Sequence, residues 1–172
     1  MKKLLTACII SLFAPVAFAQ TCAAPGGPAT GANTPYTTTG TTCGADTTSF
    51  GTSYCAGGIV TPGAPAAVVQ VNLGATNGFN VSMTTSTATF NPAIFLVGPT
   101  TCGSTAACVD SNDANGAGMG EVLPSAGTNI AQQPAGTYYV VISSTTSASD
   151  CGAYSLTVNP VLPVELKTFS ID

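Results

Sequence analysis

Histidine, tryptophan and arginine are absent from this sequence of 172 residues, and only 6% of its residues are charged. The lack of histidine excludes any active site that uses an imidazole as acid, base or metal ligand. Three lysines without any arginine form no basic surface for the phosphates of a nucleic acid, so no nucleic-acid partner is predicted. Disorder is also excluded, because 45% of the residues are hydrophobic and the charge is low.

A hydrophobic run near the start of the chain has the features of a secretory signal peptide. Two lysines precede an apolar stretch over residues 4–18, which closes with Ala-Phe-Ala. This stretch is shorter than the roughly 18 to 20 apolar residues that span a bilayer, and no later segment comes close. We therefore predict a signal peptide at residues 1–19, a mature chain from Gln20 without a membrane span, and a secreted or cell-surface location.

Six of the seven cysteines follow the predicted signal peptide, and an even number in an exported chain indicates three disulfides. Zinc binding is disfavoured, because the sequence has neither a Cys-x-x-Cys pair nor a histidine. Fifteen pairings are conceivable in principle. We expect one disulfide between the two cysteines that flank a short loop of small residues and a second between two cysteines close in sequence. The remaining two cysteines would then join the two ends of the mature chain. The expected pairs are Cys102 with Cys108, Cys43 with Cys55, and Cys22 with Cys151.

Alternating apolar and polar residues predict β-strands in the second part of the chain. This alternation covers residues 68–73, 79–84, 137–142 and 154–158, and successive side chains of a strand point to opposite faces. Residues 93–97 are continuously apolar, as is typical of a strand buried on both faces.

The remaining segments are punctuated by turn residues. Residues 20–65 are rich in Gly, Ala, Thr and Pro and are expected to form loops and short strands only. Asn77-Gly78 separates the first two alternating runs and predicts a hairpin between them, because both residues tolerate positive φ. No stretch after the signal peptide has helical spacing of apolar residues, so the sequence predicts an all-β antiparallel sandwich.

Four segments together resemble the bacterial pre-peptidase C-terminal domain family. They are residues 90–97, which begin Phe-Asn-Pro; the acidic turn 109–113; Ala-Gly-Thr-Tyr-Tyr-Val-Val at 135–141; and Gly-Ala-Tyr-Ser-Leu-Thr-Val at 152–158. The resemblance covers roughly residues 37–158. It implies a β-sandwich of jelly-roll type that acts as a non-catalytic accessory or binding module of exported proteins.

The resemblance also sets the expected domain organisation. A loop-rich segment at residues 20–36 precedes the sandwich at 37–158, and a tail follows at 159–172. Leu-Pro-Val-Glu-Leu at 162–166 resembles the junction that precedes C-terminal sorting domains of some exported bacterial proteins. A simpler interpretation is that the tail adds an edge strand.

One loop carries enough oxygen ligands to predict a candidate calcium site. Its residues are Asp110, Asn112, Asp113 and Glu121, and carboxylate and amide oxygens suit a hard cation. The competing interpretation is that Asp and Asn cap turns through their own side chains. No other cofactor is predicted.

Catalysis is not predicted, because a nucleophile would lack a neighbouring base and the cysteines are expected to be oxidised. Adjacent Tyr138 and Tyr139 must point to opposite faces of their strand, so one belongs to the core and the other either packs across the sheet or binds a ligand.

Two functions remain after catalysis is set aside. The first is a secreted, non-catalytic binding module for an extracellular polymer, protein or cell surface. The second is a structural subunit of a surface layer or fibre.

Overall fold

The computed structural model describes residues 20–29, 35–45, 47, 50, 55, 64–73, 79–99, 101–103, 106–124, 130 and 133–160. Within these ranges the chain forms strands and no helix, so none of the described elements is a helix that could cross a membrane. The strands are β1 (Gly26–Ala29), β2 (Tyr36–Thr41), β3 (Ala67–Leu73), β4 (Phe79–Thr85), β5 (Pro92–Val97), β6 (Cys108–Asn112), β7 (Glu121–Leu123), β8 (Gly136–Ser144) and β9 (Ala153–Pro160).

The strands form two sheets with the nested pairing of a jelly roll. The five-stranded sheet has the order β1-β3-β8-β5-β6, and the four-stranded sheet has the order β2-β9-β4-β7. From β2 onward the first strand pairs with the last and the second with the next to last, as expected when a folded hairpin wraps into two layers. Only β1, which runs parallel to β3, departs from antiparallel pairing among the described strands. The predicted antiparallel sandwich of jelly-roll type is confirmed.

The core lies between the two sheets and is built from the apolar members of the alternating runs. Val69 and Val71 of β3 face Val81 and Met83 of β4 across this core, because every second side chain of a strand points inward. The buried core residues are Ala67, Val69, Val71, Leu73, Val81, Met83, Phe90, Ile94, Leu96, Leu123, Ile130, Tyr138, Val140, Ile142, Tyr154, Leu156 and Val158.

The five-stranded sheet is also covered on its outer face. All six residues of β5 are buried, which confirms the prediction for residues 93–97. A second set of buried apolar residues, named here the outer cluster, packs on the side away from the four-stranded sheet. It consists of Phe50, Ala64, Ala66, Val68, Ala93, Phe95, Val97 and Val141. Residues that precede β3 in the chain therefore form a partial third layer over this sheet.

The predicted hairpin at Asn77-Gly78 is wrong. The strand before it, β3, pairs with β1 and β8, whereas the strand after it, β4, pairs with β7 and β9. The connection therefore passes from one sheet to the other, and residues 74–78 themselves lie outside the described ranges. An Asn-Gly pair permits a tight turn but does not decide that the flanking strands pair with each other.

Three disulfides are present as predicted, but all three expected pairings are wrong. Neither Cys102–Cys108, Cys43–Cys55 nor Cys22–Cys151 forms, and the observed pairs are Cys22–Cys102, Cys43–Cys151 and Cys55–Cys108. The observed bridges close loops of 80, 108 and 53 residues. Cys22–Cys102 and Cys55–Cys108 hold the partial third layer on the five-stranded sheet. Cys43–Cys151 joins the segment after β2 to the segment before β9.

Several predictions concern residues outside the described ranges. These include the signal peptide at residues 1–19 and the Leu-Pro-Val-Glu-Leu junction at 162–166. The described chain ends with β9 at Pro160, and the tail prediction stays untested. Three disulfides are nevertheless typical of proteins that mature in an oxidising, extracytoplasmic environment.

Candidate functional site

Three of the four predicted calcium ligands, Asp110, Asn112 and Glu121, accept hydrogen bonds from backbone amides, and Asp113 is exposed. The Asp110 carboxylate accepts a hydrogen bond from the Ser111 amide at 2.8 Å. The Asn112 side chain accepts from the Ala114 amide at 3.2 Å and donates to the Val122 carbonyl at 2.9 Å. The contact between Asn112 and the Ala114 amide is that of a turn-capping side chain, and the contact to Val122 joins Asn112 to strand β7. Among the described residues no group of three His, Cys, Asp or Glu side chains lies close enough to hold a metal ion. The calcium site stays a prediction.

Glu121 is the one fully buried acid in the described part of the chain. Its carboxylate accepts a hydrogen bond from the Asn115 amide at 2.8 Å, and the Asn115 side chain in turn donates to the Gly120 carbonyl at 2.6 Å. Burial raises the pKa of Glu121, the amides of Asn115 and Ala114 oppose this, and the nearby Asp113 charge adds to it. The Glu121 carboxylate therefore holds the β6–β7 loop through hydrogen bonds, and burying its charge costs free energy.

This cost predicts how stability depends on pH. Because the folded-state pKa of Glu121 lies above its ordinary value of 4.5, the folded chain holds the proton more tightly than the unfolded chain. The contribution of Glu121 to stability is therefore largest below pH 4.5 and is lost as the pH rises through the raised pKa. We therefore compare the difference in melting temperature between Glu121→Gln and the unsubstituted protein at two pH values. This difference should be more favourable to the variant at pH 7 than at pH 4.

Asp113→Asn is the matched control, since it removes an exposed charge from the same loop and only a minor cause of the shift in the Glu121 pKa. It should change the pH dependence much less. An equal loss of melting temperature in Glu121→Gln at every pH would show that burial of the charge is not penalised.

The described tyrosines are packing residues. Tyr138 is fully buried and donates a hydrogen bond from its hydroxyl to the Pro134 carbonyl at 2.9 Å, and burial raises its pKa. Tyr139, on the opposite face of β8, is half-buried against the outer cluster. Tyr154 is buried with its hydroxyl against Gln20, and its pKa is raised chiefly by burial. Of the two interpretations of Tyr138 and Tyr139, the structure favours packing across the sheet.

The outer face of the four-stranded sheet differs from that of the five-stranded sheet. Tyr154, Leu156 and Val158 of β9 point into the core, so the residues between them point outward. The same alternation in β2, β4 and β7 brings outward residues into rows that cross the sheet. We name this surface the hydroxyl face; its residues are Thr37, Thr39, Asn80, Ser82, Thr84, Val122, Ser155, Thr157 and Asn159.

The register aligns the hydroxyl face into cross-strand rows. One row runs from Thr37 through Thr157 and Ser82 to Val122, and the next contains Thr39, Ser155 and Thr84. The Thr37 and Thr157 hydroxyls are 3.0 Å apart, and the Asn159 amide donates to the Asn80 side-chain oxygen at 3.1 Å. Threonine side chains have few rotamers. These two hydrogen bonds and the restricted threonine rotamers order part of the face.

Neither charge nor an aromatic ring occurs among the residues of the hydroxyl face. Its most apolar part is one edge, where Val122 is 47% exposed and Met119 of the adjoining loop is 56% exposed. The face thus offers hydroxyls, side-chain amides and threonine methyl groups. It can form many hydrogen bonds to a neutral partner, but it has no group that transfers a proton near neutral pH.

Sequence reasoning identified two of the four strands of this face, β4 and β9, but not the face itself. The alternation of polar residues in β4 and β9 marked Asn80, Ser82, Ser155 and Thr157 as sharing one side of each strand. Nothing in the sequence indicated that β2 adds Thr37 to the same sheet, because that pairing joins residues 120 positions apart.

No family model matches the sequence, and no curated protein matches it. Among solved structures, the chain is similar to the pre-peptidase C-terminal domain of a Bacillus anthracis collagenase, with 14% identity, a TM-score of 0.41, and coverage of 75% of this chain and 90% of that chain. It is also similar to PliG, a periplasmic inhibitor of g-type lysozyme from Aeromonas hydrophila, with 14% identity, a TM-score of 0.41, and coverage of 74% and 86%. Likenesses this distant identify no functional residue of this chain.

Proposed function

We propose that this protein is a secreted, non-catalytic binding module that contacts an extracellular polymer, protein or cell surface through the hydroxyl face. One observation carries the proposal: the two outer faces of the sandwich are unequal. The outer face of the five-stranded sheet is covered by the outer cluster and held by two disulfides, whereas the hydroxyl face is uncovered by any described residue. An uncovered sheet whose polar side chains are aligned in cross-strand rows is suited to adhesion.

The remaining chemistry supports a role without catalysis. The Asp150 carboxylate accepts hydrogen bonds from the Asn91 amide at 3.1 Å and the Ser144 hydroxyl at 2.5 Å, so it fixes the loop before β9. Glu121 fixes the β6–β7 loop in the same way. The six cysteines after residue 19 are oxidised. These acids and thiols are occupied by structural contacts.

The proposal is tested by measuring retention and association state together. The purified, oxidised protein should remain monomeric at high concentration in analytical ultracentrifugation and should be retained on at least one insoluble extracellular polymer, with polysaccharides and collagen as the probes. Ordered polymers that grow with protein concentration, without retention on any probe, would instead favour a structural subunit of a surface layer or fibre.

A further inference from the structure

We infer that the hydroxyl face binds a neutral polysaccharide chain, which names the partner of the proposed function and rests on it. The first argument is charge. The face lacks ionisable side chains, and the nearest acid in sequence, Glu121, points inward and is buried. An anionic or cationic polymer would lose water from its charged groups on this face without gaining an opposite charge. A neutral polymer has no charged groups to desolvate on this face.

The second argument is the composition of the face. Protein interfaces are centred on aromatic residues, methionine and arginine, whose large side chains fill pockets of the partner. The centre of the hydroxyl face, at Thr157 and Ser82, has only small hydroxylated residues, and the two exposed apolar side chains lie at one edge. A second copy of this chain or another protein would find few anchors there.

The third argument is the match between threonine and a sugar. A sugar ring presents hydroxyl groups beside C–H groups, and each threonine presents a hydroxyl beside a methyl group. Outward residues repeat about every 6.6 Å along a strand, and neighbouring strands lie about 4.8 Å apart. The rows that contain Thr37, Thr39 and Thr84 thus form a regular grid of hydrogen-bonding groups. A polymer with a repeating pattern of hydroxyls can contact several rows at once, so weak contacts add up along the chain.

The fourth argument is preorganisation. Cross-strand hydrogen bonds join Thr37 to Thr157 and Asn80 to Asn159 within the face. The disulfide between Cys43 and Cys151 ties together the chain segments beside one end of β2 and β9. Side chains that are already ordered lose little conformational entropy when a ligand binds.

Retention of the purified, oxidised protein on cellulose, chitin, β-1,3-glucan and mannan tests the inference, with collagen and an anionic polysaccharide as comparison matrices. We expect retention on a neutral polysaccharide that is insensitive to added salt. The variant Thr37→Val/Thr39→Val/Thr84→Val, which keeps the branched shape but removes three hydroxyls, should bind at least tenfold more weakly. The control Thr101→Val, exposed in the β5–β6 connection of the other sheet, should bind as the unsubstituted protein does.

A second variant distinguishes a change in the face from a loss of folding. Thr84→Lys places a charge on the exposed part of the face, and Ala148→Lys places the same charge on an exposed loop outside it. Both should melt near the temperature of the unsubstituted protein, and only Thr84→Lys should lose retention.

The other outcomes separate the two levels of the proposal. Retention on collagen or on the anionic matrix alone would overturn the neutral polysaccharide and leave the binding module intact. Retention on no matrix would overturn both. Self-association that Thr84→Lys abolishes would assign the face to contacts between copies of the chain and would also overturn the inference.

Discussion

The double variant Cys43→Ser/Cys151→Ser is expected to lose much of its stability while it keeps the other two disulfides. The bridge closes the longest of the three loops, at 108 residues. The chain-entropy model assigns a loop of this length about 4 to 5 kcal/mol, and removal of native disulfides typically costs about 2 to 5 kcal/mol. Cys43 is exposed and Cys151 is half-buried, and serine differs from cysteine by one atom, so the replacements add little cavity cost. Chemical denaturation followed by fluorescence or circular dichroism measures the change.

Counting free thiols checks the connectivity in the same experiment. Cys43→Ser/Cys151→Ser should expose no additional thiol, because both partners of one bridge are removed. Cys22→Ser/Cys151→Ser, which would remove one bridge under the pairing expected from sequence, should instead release Cys43 and Cys102 as free thiols. The opposite thiol counts would contradict the observed pairing.

The second large effect is expected at Phe90, which fills the core beside the start of β5. Its side chain is fully buried, and its carbonyl accepts a hydrogen bond from the Gly118 amide at 2.8 Å. Gly152 approaches so closely that a Cβ there would lie 2.6 Å from the Phe90 Cβ. Truncation to alanine removes the ring and leaves a cavity that closely packed surroundings only partly fill. We expect Phe90→Ala to lower the free energy of unfolding by about 3 to 5 kcal/mol.

Met119→Ala is the matched control, because it truncates a large apolar side chain that is 56% exposed. Its free energy of unfolding should change by no more than about 0.5 kcal/mol. If the two variants were equally stable, the ring of Phe90 would not be a core residue.

Five of the nine described strands, β3, β4, β5, β8 and β9, follow from the sequence because each has a local pattern of apolar residues. In β9 every second residue from Tyr154 to Val158 is apolar, and these side chains are the ones that enter the core. The continuous run in β5 correctly predicted burial on both faces. These predictions succeed because the period of a strand depends only on its own residues.

The pairings failed where they depend on distant parts of the chain. Cys102 and Cys108 are close in sequence, yet each bonds to a distant cysteine that packs against the outer cluster: Cys22, which precedes β1, and Cys55, which follows β2. Asn77-Gly78 similarly indicated a local hairpin where the chain changes sheets. Proximity in sequence favours a contact entropically, but it is overridden when a distant segment covers a large apolar surface.

The candidate face was hidden for a related reason. The alternation in β4 and β9 showed which of their residues are polar, but a binding surface requires several strands side by side. Only the register places Thr37, Thr157 and Ser82 in one row. Local patterns therefore predict the members of such a surface, whereas the tertiary arrangement defines it.

The partial third layer links oxidation of this protein to its solubility. In the described part of the chain, the bridges of Cys22 to Cys102 and of Cys55 to Cys108 are the covalent links between the covering residues and the sheet that carries Phe95, Val97 and Val141. If the two sheets form under reducing conditions, the apolar residues of the outer cluster are less firmly covered and can contact water or other copies of the chain. We therefore expect the reduced protein to aggregate more readily than the oxidised protein, beyond the loss of stability that reduction itself causes.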